Sequence, residues 1–366
     1  MTVECSWARI PLGDGEWGQL CIPTGRDLLA DLILQGRYQM LPAHFRVLLD
    51  SLPAGATVVD LGAHLGTFTL AAAAKGFEVI AVEASAQNVS ALHQSIAANG
   101  FTNIKVAPVA VSDHAGLVSF VHDGAWGRIT NDSLGGPLVE VRALPLPSIL
   151  EELGVARVDA MKMDVEGAEP AVIAGMRTLA RRSDAPMIVF ENNPHTLRIA
   201  GSSANDLLHA LARAGYQLCL IEEPRTLRRV RAESFQPETV ADYLAFKDES
   251  ALHPSWPIQR ERSEEDLVDS IMIEARSRTP DHRRSIAFQL RDAPPSLLAH
   301  PKVVQSLALL TLDRDQRVAH ATRWWRDRRT LATLSGLTAE IEAAAVDGAA
   351  LAERAARERA ARGVGA

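Results

Sequence analysis

The sequence predicts an α/β protein with a doubly wound, mostly parallel sheet of seven strands and a mainly helical C-terminal extension. Short apolar runs alternate with helical patterns from about residue 57 to residue 247, which is typical of the βα units of a parallel sheet. Three helical patterns end at a glycine that suits a left-handed cap, namely Gly76, Gly100 and Gly215. We place the seven strands at residues 57–60, 78–83, 104–111, 160–164, 187–191, 217–222 and 243–247.

The chain is expected to have three regions. Residues 1–50 are predicted to form a cap, made of a hairpin over residues 8–22 and two helices. The α/β domain follows at residues 51–250. Residues 251–366 contain helical patterns separated by prolines and form an accessory region, whose Ala-, Arg- and Glu-rich end is expected to be flexible. We place the helices at residues 27–35, 43–51, 67–75, 87–99, 169–179 and 205–214.

Composition excludes several classes of protein. The 366 residues include 47% apolar residues, enough for a large core, but no apolar run reaches the roughly 18 residues of a membrane span. The net charge is −7, and the first 250 residues hold nine more acidic than basic residues, which argues against nucleic acid as a partner. Cys5, Cys21 and Cys219 are too few for a disulfide framework and lack metal-site spacing, so we expect a cytoplasmic protein.

The strongest local signal is a glycine-containing turn between a predicted strand and a predicted helix, in the segment VVDLGAHLGTF of residues 58–68. Ligands of doubly wound sheets bind at the carboxyl ends of the strands, where this turn lies. A dinucleotide fingerprint would have a glycine where His64 stands, and Asp60 would repel a pyrophosphate. A carboxylate suits the cationic methionine end of S-adenosylmethionine instead, and Glu83 at the end of the next strand suits the two ribose hydroxyls.

Three segments resemble the FkbM family of S-adenosylmethionine-dependent methyltransferases, over roughly residues 50–247. They are VDLGAHLGTFT at residues 59–69, AVSD at residues 110–113, and MKMDVEGAE at residues 161–169. The family usually has asparagine at the position of His64. The resemblance implies a class I, Rossmann-like fold, transfer of methyl groups mostly to hydroxyls of sugars and natural products, and binding of S-adenosylmethionine. The cofactor-binding residues expected from these segments and from the end of the second predicted strand are Asp60, Gly62, Ala63, His64, Gly66, Thr67, Phe68, Glu83, Ala84 and Val111.

Acidic residues at the ends of two further predicted strands are candidates for catalysis. In one mechanism, Asp164, Glu166, Glu191 or His195 acts as a general base on the acceptor hydroxyl. In a second, Asp164, Glu191 and Asn192 hold a divalent cation such as Mg²⁺, because oxygen ligands select Mg²⁺ or Ca²⁺. In a third, Asp164 and Glu166 only cap the helix that begins near Glu169.

The function that these observations favour is O-methylation of a sugar, a glycoside or another small natural product. Two alternatives stay open: a nicotinamide-dependent oxidoreductase and a binding or scaffold protein without catalytic activity. The expected partner is a small-molecule or saccharide acceptor, with no nucleic acid and no membrane span. A homo-oligomer is compatible with the sequence.

Overall fold

The computed structural model describes residues 3–24, 27–37, 41–122, 124, 127–130, 138–222, 224–234 and 240–323. The chain divides into two compact units. The first comprises Met1–Glu233 and Val240–Glu261, and the second comprises Ser234–Thr239 and Arg262–Ala366. The chain end that the sequence predicts to be flexible lies, from residue 324 onwards, outside the described residues.

The first unit starts with a hairpin and two helices and continues with strands that alternate with helices. Up to the middle of the sheet, its elements are β1 (Cys5–Gly13), β2 (Glu16–Pro23), α1 (Leu28–Leu34), α2 (Ala43–Ser51), β3 (Thr57–Leu61), α3 (Thr67–Ala74), β4 (Glu78–Val82), α4 (Ala86–Asn99), β5 (Ile104–Ala107), β6 (Ala110–Val111), β7 (Gly116–Val121), β8 (Arg128–Ile129), β9 (Leu138–Leu144) and α5 (Leu146–Glu152). The remaining elements are β10 (Ala160–Met163), α6 (Glu169–Gly175), α7 (Arg177–Ala180), β11 (Met187–Asn192), α8 (Pro194–Ile199), α9 (Ala204–Arg213), β12 (Gln217–Glu222), β13 (Thr226–Val230), β14 (Ala241–Phe246) and β15 (Ile258–Gln259).

The main sheet confirms the doubly wound α/β fold. Its strand order is β15-β13-β12-β14-β11-β10-β3-β4-β5. The five strands from β11 to β5 pair in parallel, whereas β14 pairs antiparallel with both β11 and β12. All seven predicted strands contribute to this sheet, and β14 lies between two strands that precede it in the chain.

The strand count of seven is wrong for this sheet, which has nine strands. β13 adds an antiparallel edge to β12, and the two-residue β15 pairs with β13. The segment that was predicted as one strand over residues 104–111 divides into β5 and β6. Pro108 lies at the division, and a proline has no N–H with which to continue a ladder.

β6 belongs to a separate four-stranded sheet with the order β6-β9-β7-β8. β9 pairs in parallel with β6 and antiparallel with β7, and β7 pairs antiparallel with β8. This sheet was not predicted. It matters for function because it supplies Val111, Phe120, Arg128 and Ile129 to the wall of the cavity described below.

The two faces of the main sheet carry separate hydrophobic clusters. Side chains alternate between faces along a strand, so Val59 and Met161 enter one cluster while Val58 and Ala160 enter the other. Helix α2 packs on the face of Val58, where Phe45, Leu48 and Leu49 are buried. This packing brings the start of α2 to the carboxyl end of β11 and the amino end of β14, where His44 lies 2.7 Å from Asp242.

The N-terminal hairpin is present and longer than predicted, and it packs on α3 and α4 through Leu20, Ile22 and Leu70. A disulfide joins Cys5 and Cys21 across the hairpin, which the sparse cysteines of the sequence did not suggest. No helix in the described part of the chain combines the length and apolar character that crossing a bilayer requires.

The described part of the second unit is helical and has a core of its own. Its helices are α10 (Glu264–Glu274), α11 (Pro280–Gln289), α12 (Pro295–Leu298), α13 (Pro301–Thr311) and α14 (Gln316–Ala321). Val268, Ile271, Ile286, Leu307 and Val318 are fully buried in one cluster. Prolines in the first turns of α11, α12 and α13 start those helices, because a proline tolerates the position where no intrahelical N–H bond is needed.

Candidate active site

A cavity of about 270 Å³ lies at the carboxyl ends of the central parallel strands. Its lining comes entirely from the first unit. Of the residues predicted from the sequence, it contains Gly62, Ala63, His64, Thr67, Phe68, Glu83, Ala84, Val111, Asp164, Glu166 and Glu191. Of the other predicted residues, Asp60, Gly66, Asn192 and His195 are not part of the lining.

The turn after β3 requires glycine for steric reasons. Gly62 has a φ of 75°, and a Cβ atom there would lie 1.9 Å from the carbonyl oxygen of Asp164. Gly66 has a φ of 90°, and its Cβ would lie 2.4 Å from a side-chain carbon of Leu92. The first glycine therefore lets the turn pass close to β10, and the second lets α3 start against α4.

Two backbone N–H groups hold the carboxylate of Glu83, one from the glycine turn and one from the start of α4. One carboxylate oxygen accepts the N–H of His64 at 2.8 Å, and the other accepts the N–H of Ser85 at 2.8 Å. The second of these oxygens, Oε1, also accepts a longer hydrogen bond of 3.5 Å from Asn88 Nδ2. A carboxylate oxygen has two acceptor sites, so Oε2 keeps capacity for a hydroxyl of a ligand.

His64 occupies the position where the resembling family usually has asparagine. Its φ is 51°, in the left-handed region that both asparagine and histidine enter more readily than most residues. Its Nε2 lies 2.8 Å from Oδ2 of Asp27, the residue that caps α1. Burial opposes ionisation of Asp27, but the hydrogen bond and charge of His64 outweigh it and lower the pKa of Asp27. His64 thus ties the turn to α1.

Asp60 lies below the cavity rather than in its wall, with no exposed surface. Thr69 Oγ1 donates a hydrogen bond of 2.6 Å to it, and Lys162 Nζ lies 3.3 Å from its other oxygen. Burial raises the pKa of Asp60, although Lys162 and Thr69 favour the ionised form. The sequence analysis expected a direct contact with the cofactor; the structure gives Asp60 internal partners instead.

Lys162 is a cavity residue that the sequence analysis did not assign. Its ammonium group donates to the carbonyl oxygen of Gly62 at 3.1 Å and lies 3.5 Å from Asp164. It therefore connects Asp60, the glycine turn and the end of β10. The available signal was a lysine inside the apolar strand MKM, because a buried lysine is rarely left without a partner.

Asp164, Glu166 and Glu191 form an acidic cluster in which one carboxylate oxygen from each lies within 4.8 Å of the others. Burial, followed by the charges of Asp164 and Glu169, raises the pKa of Glu166 to about 8. Burial and the charges of Asp164 and Glu166 raise the pKa of Glu191 well above its usual value. Glu166 also has a φ of 52°, a strained conformation of the kind that functional sites retain.

Glu169, not Asp164 or Glu166, organises the start of α6. Its carboxylate accepts the N–H groups of Val165 and Gly167, both at 3.0 Å. The helix cap is Ala168, and no side chain bonds the cap, so the capping role considered for Asp164 and Glu166 is wrong. Burial raises the pKa of Glu169 to about 7 despite these hydrogen bonds.

Asn192 and His195 lie apart from the acidic cluster. Asn192 follows Glu191 in β11, so its side chain points to the opposite face of the sheet. His195 is exposed in α8, which follows the strand. Neither residue lines the cavity, and the third carboxylate beside Asp164 and Glu191 is that of Glu166.

A histidine–aspartate pair also lines the cavity. His44 Nδ1 lies 2.7 Å from Oδ2 of Asp242, and the two side chains are 21% and 33% exposed. His44 belongs to the first turn of α2, and Asp242 stands opposite Glu191 in the antiparallel pair of β14 and β11. The sequence analysis missed both residues, because they lie 198 positions apart and neither follows a predicted parallel strand.

Residues 60–218 match a family model described as the methyltransferase FkbM domain. This region is an FkbM methyltransferase domain. The chain is therefore an S-adenosylmethionine-dependent methyltransferase. The match runs from the end of β3 into β12, so it includes the glycine turn, Glu83 and the acidic cluster of the FkbM domain. His44 and Asp242 lie outside it.

Solved structures of methyltransferases are similar to this chain at low identity. Precorrin-6y C5,15-methyltransferase from Geobacter metallireducens is 14% identical, with 56% of this chain and 87% of that chain covered and a TM-score of 0.33. The 16S rRNA N2 G1207 methyltransferase of T. thermophilus is 17% identical, with coverages of 67% and 50% and a TM-score of 0.34. The tRNA (uracil-54, C5)-methyltransferase of Pyrococcus abyssi is 14% identical, with coverages of 65% and 43% and a TM-score of 0.33. A sequence comparison with curated proteins found no match.

Proposed function

We propose that this methyltransferase transfers a methyl group to a hydroxyl of a sugar, a glycoside or another small natural product. The observation that carries the proposal is a single cavity lined both by the glycine turn with Glu83 and by the acidic cluster. Its carboxylates accept hydrogen bonds from hydroxyls, and they repel a phosphate backbone.

The cofactor end of the cavity is assigned to the glycine turn. The residues present fit S-adenosylmethionine, since backbone N–H groups orient the Glu83 carboxylate at the cavity edge, where Oε2 can accept a ribose hydroxyl. Ala84 and Val111 would flank the adenine, and Ala63, His64, Thr67 and Phe68 would surround the methionine end. The cofactor supplies an electrophilic methyl group on a positively charged sulfur. Asp60 and Gly66 act indirectly, by supporting the turn.

The acceptor end is assigned to the acidic cluster. Asp164, Glu166 and Glu191 would accept hydrogen bonds from the acceptor and hold one hydroxyl in line with the methyl group. The apolar side chains of Phe45, Phe120 and Ile129 line the same cavity. They would pack on the carbon face of the acceptor and exclude water.

A metal-assisted variant of this function rests on the spacing of the cluster. Asp164, Glu166 and Glu191 offer three carboxylate oxygens within 4.8 Å, a set that suits Mg²⁺ or Ca²⁺. These residues would hold the ion, which would relieve their mutual repulsion and lower the pKa of an acceptor hydroxyl. Asn192, which the sequence analysis considered as a ligand, is replaced by Glu166 in this proposal.

Calorimetry tests the cofactor assignment. S-adenosylhomocysteine is titrated into the wild type, Glu83→Gln and Glu78→Gln, the last being an exposed residue at the opposite end of β4. Loss of a hydrogen bond to a charged carboxylate is expected to weaken binding about 10- to 100-fold in Glu83→Gln and to leave Glu78→Gln unchanged. Equal affinities in all three proteins would contradict the assignment. NAD and NADP, titrated in parallel, test the oxidoreductase alternative.

Methyl transfer tests the acceptor assignment. Labelled S-adenosylmethionine is incubated with methyl glycosides, flavonoid glycosides and aminoglycosides, with EDTA or with Mg²⁺. Label in an alkali-stable ether supports the proposal, and strict dependence on Mg²⁺ selects its metal-assisted variant. Label on nitrogen or carbon would contradict O-methylation. Asp164→Asn is expected to keep affinity for S-adenosylhomocysteine and to lose turnover.

A further inference from the structure

Proton removal is the step that the acidic cluster leaves unassigned. An acceptor hydroxyl loses a proton when its oxygen is methylated, and a positioned base contributes about 10²- to 10⁴-fold to such a reaction. A cavity group with a free acceptor atom, oriented by a third group, is the arrangement that general-base catalysis needs. Two described histidines of the cavity lining pair with an aspartate, His44 with Asp242 and His64 with Asp27. His64 belongs to the glycine turn that is assigned to the cofactor, so His44 is the candidate base at the acceptor end.

The geometry of His44 defines which nitrogen is available. His44 Nδ1 lies 2.7 Å from Oδ2 of Asp242, so a proton on Nδ1 would face this carboxylate and would leave Nε2 without a proton. His44 stands in the first turn of α2, which packs on β11, β12 and β14. Phe45, its neighbour in the chain, packs on Phe68 at a centroid distance of 5.0 Å and so fixes the start of the helix beside the glycine turn.

Acidic side chains on the strands that pack against α2 surround the pair of His44 and Asp242. The strands that pack against α2 carry Glu191, Asp242 and Glu222, and Glu222 is paired with Arg228 at 2.9 Å. Asp242 faces Glu191 across the β11–β14 ladder. An imidazolium at His44 would therefore be stabilised by Asp242 and would lie beside the acidic cluster where the acceptor is proposed to bind.

We propose that His44 is the general base of the methyl transfer and that Asp242 positions it. The acceptor oxygen forms a bond to the methyl carbon while the carbon–sulfur bond breaks. The sulfur keeps that electron pair and becomes a neutral thioether, and the hydroxyl proton moves to Nε2 of His44. The Asp242 carboxylate, 2.7 Å from Nδ1, stabilises the resulting imidazolium. This inference rests on the proposed function, but both of its residues lie outside the FkbM domain match.

The test compares His44→Gln, His44→Ala and Asp242→Asn with a matched control. The control is His114→Gln, because His114 also pairs with an aspartate, Asp113, at 2.6 Å, but is exposed outside the cavity. Labelled methyl transfer to the glycoside set above is measured from pH 6 to pH 10, together with affinity for S-adenosylhomocysteine. His44→Gln is expected to lose about 10²- to 10⁴-fold in kcat, with cofactor affinity unchanged. Asp242→Asn is expected to lose less.

Two readouts distinguish a base from a structural residue. The loss in His44→Gln should fall on kcat rather than on the KM of the acceptor, and imidazole added to the buffer should restore part of the activity of His44→Ala. Activity of His44→Gln within threefold of the wild type, with the same pH profile, would overturn the inference. Loss of cofactor affinity equal to the loss of kcat would also overturn it, because His44 would then support the fold.

The inference and the proposed function fail in different ways. If label reaches an amine of the aminoglycosides instead of oxygen, O-methylation is wrong, and the His44 variants still show whether the base assignment holds. If no acceptor is labelled, the ¹⁵N chemical shifts of the His44 ring are measured, because they show which ring nitrogen carries the proton. A protonated Nδ1 and an unprotonated Nε2, with this preference lost in Asp242→Asn, support the inference. A proton on Nε2 in the wild type overturns it.

Discussion

Gly62 shows how a missing side chain can determine a binding site. Its φ of 75° is matched by Gly76, with a φ of 79°, but the surroundings differ. A Cβ at Gly62 would lie 1.9 Å from the Asp164 carbonyl oxygen, whereas a Cβ at Gly76 meets nothing within 4 Å.

This pair of glycines gives a controlled prediction. Gly76→Ala carries only the cost of a left-handed conformation, about 1–2 kcal/mol of stability. Gly62→Ala carries that cost and also pushes the turn away from β10, so it should abolish measurable binding of S-adenosylhomocysteine. Calorimetry and thermal unfolding of both variants check this, and equal cofactor affinity in the two would contradict it.

Lys162 is predicted to stabilise the fold through Asp60. Lys162→Met leaves a fully buried carboxylate with Thr69 as a remaining partner, and breaking a buried ion pair in this way costs about 3–5 kcal/mol. The double variant Asp60→Asn/Lys162→Met should recover most of that loss. Urea unfolding of the single and double variants measures the coupling, and simple additivity of the two losses would show that the pair does not interact.

At the scale of residues, the sequence could predict groups that directly follow parallel strands. Asp164, Glu166 and Glu191 were found because a strand end places them at one edge of the sheet. Asn192 was misplaced because strand alternation sends neighbouring side chains to opposite faces. His44 and Asp242 could not be found, because a helix start and an antiparallel strand meet there only through tertiary packing.

The turn between β10 and α6 is an element that depends on one buried carboxylate. Glu169 accepts two backbone N–H groups of this turn and is 3% exposed. Its pKa in the folded protein is about 7, above the usual value of 4.5. The folded state therefore holds this proton more tightly than the unfolded state does.

The expected consequence is a pH-dependent stability. The contribution of Glu169 to the free energy of unfolding is complete below about pH 4.5 and is lost as the pH rises through about 7. Thermal unfolding in EDTA between pH 5 and pH 8 should show a midpoint that falls with pH in the wild type and less steeply in Glu169→Gln. Glu151→Gln, at an exposed position of α5, serves as the control and should follow the wild type. Parallel curves for all three proteins would contradict the assignment.

The positions of the seven predicted strands along the chain follow from βα periodicity, since long alternating patterns are the strongest signal in a sequence. The two additional strands escaped prediction for different reasons. β13 has the sequence TLRRV, whose two adjacent arginines leave no apolar run like those of the predicted strands. β15 has only two residues, too few for any periodicity.

At the scale of the whole molecule, the cavity belongs to the first unit alone. Its lining residues fall between Leu29 and Asp242, inside Met1–Glu233 and Val240–Glu261. A protein ending at Glu261 is therefore expected to bind S-adenosylhomocysteine with the affinity of the full chain. Calorimetry on both proteins measures this, and loss of binding by a folded 1–261 protein would show that the second unit supports the site.

The position of β14 has a consequence for synthesis of the chain. β14 fills the gap between β11 and β12, although it is made after both of them. Until the ribosome has added the residues of β14, the nascent sheet lacks this inner strand. The backbone N–H and C=O groups on the facing edges of β11 and β12 then have no partner strand. The nascent chain is thus most exposed to wrong strand pairing and to capture by chaperones late in translation. The same late strand brings Asp242, so protection from aggregation and completion of the histidine–aspartate pair arrive together.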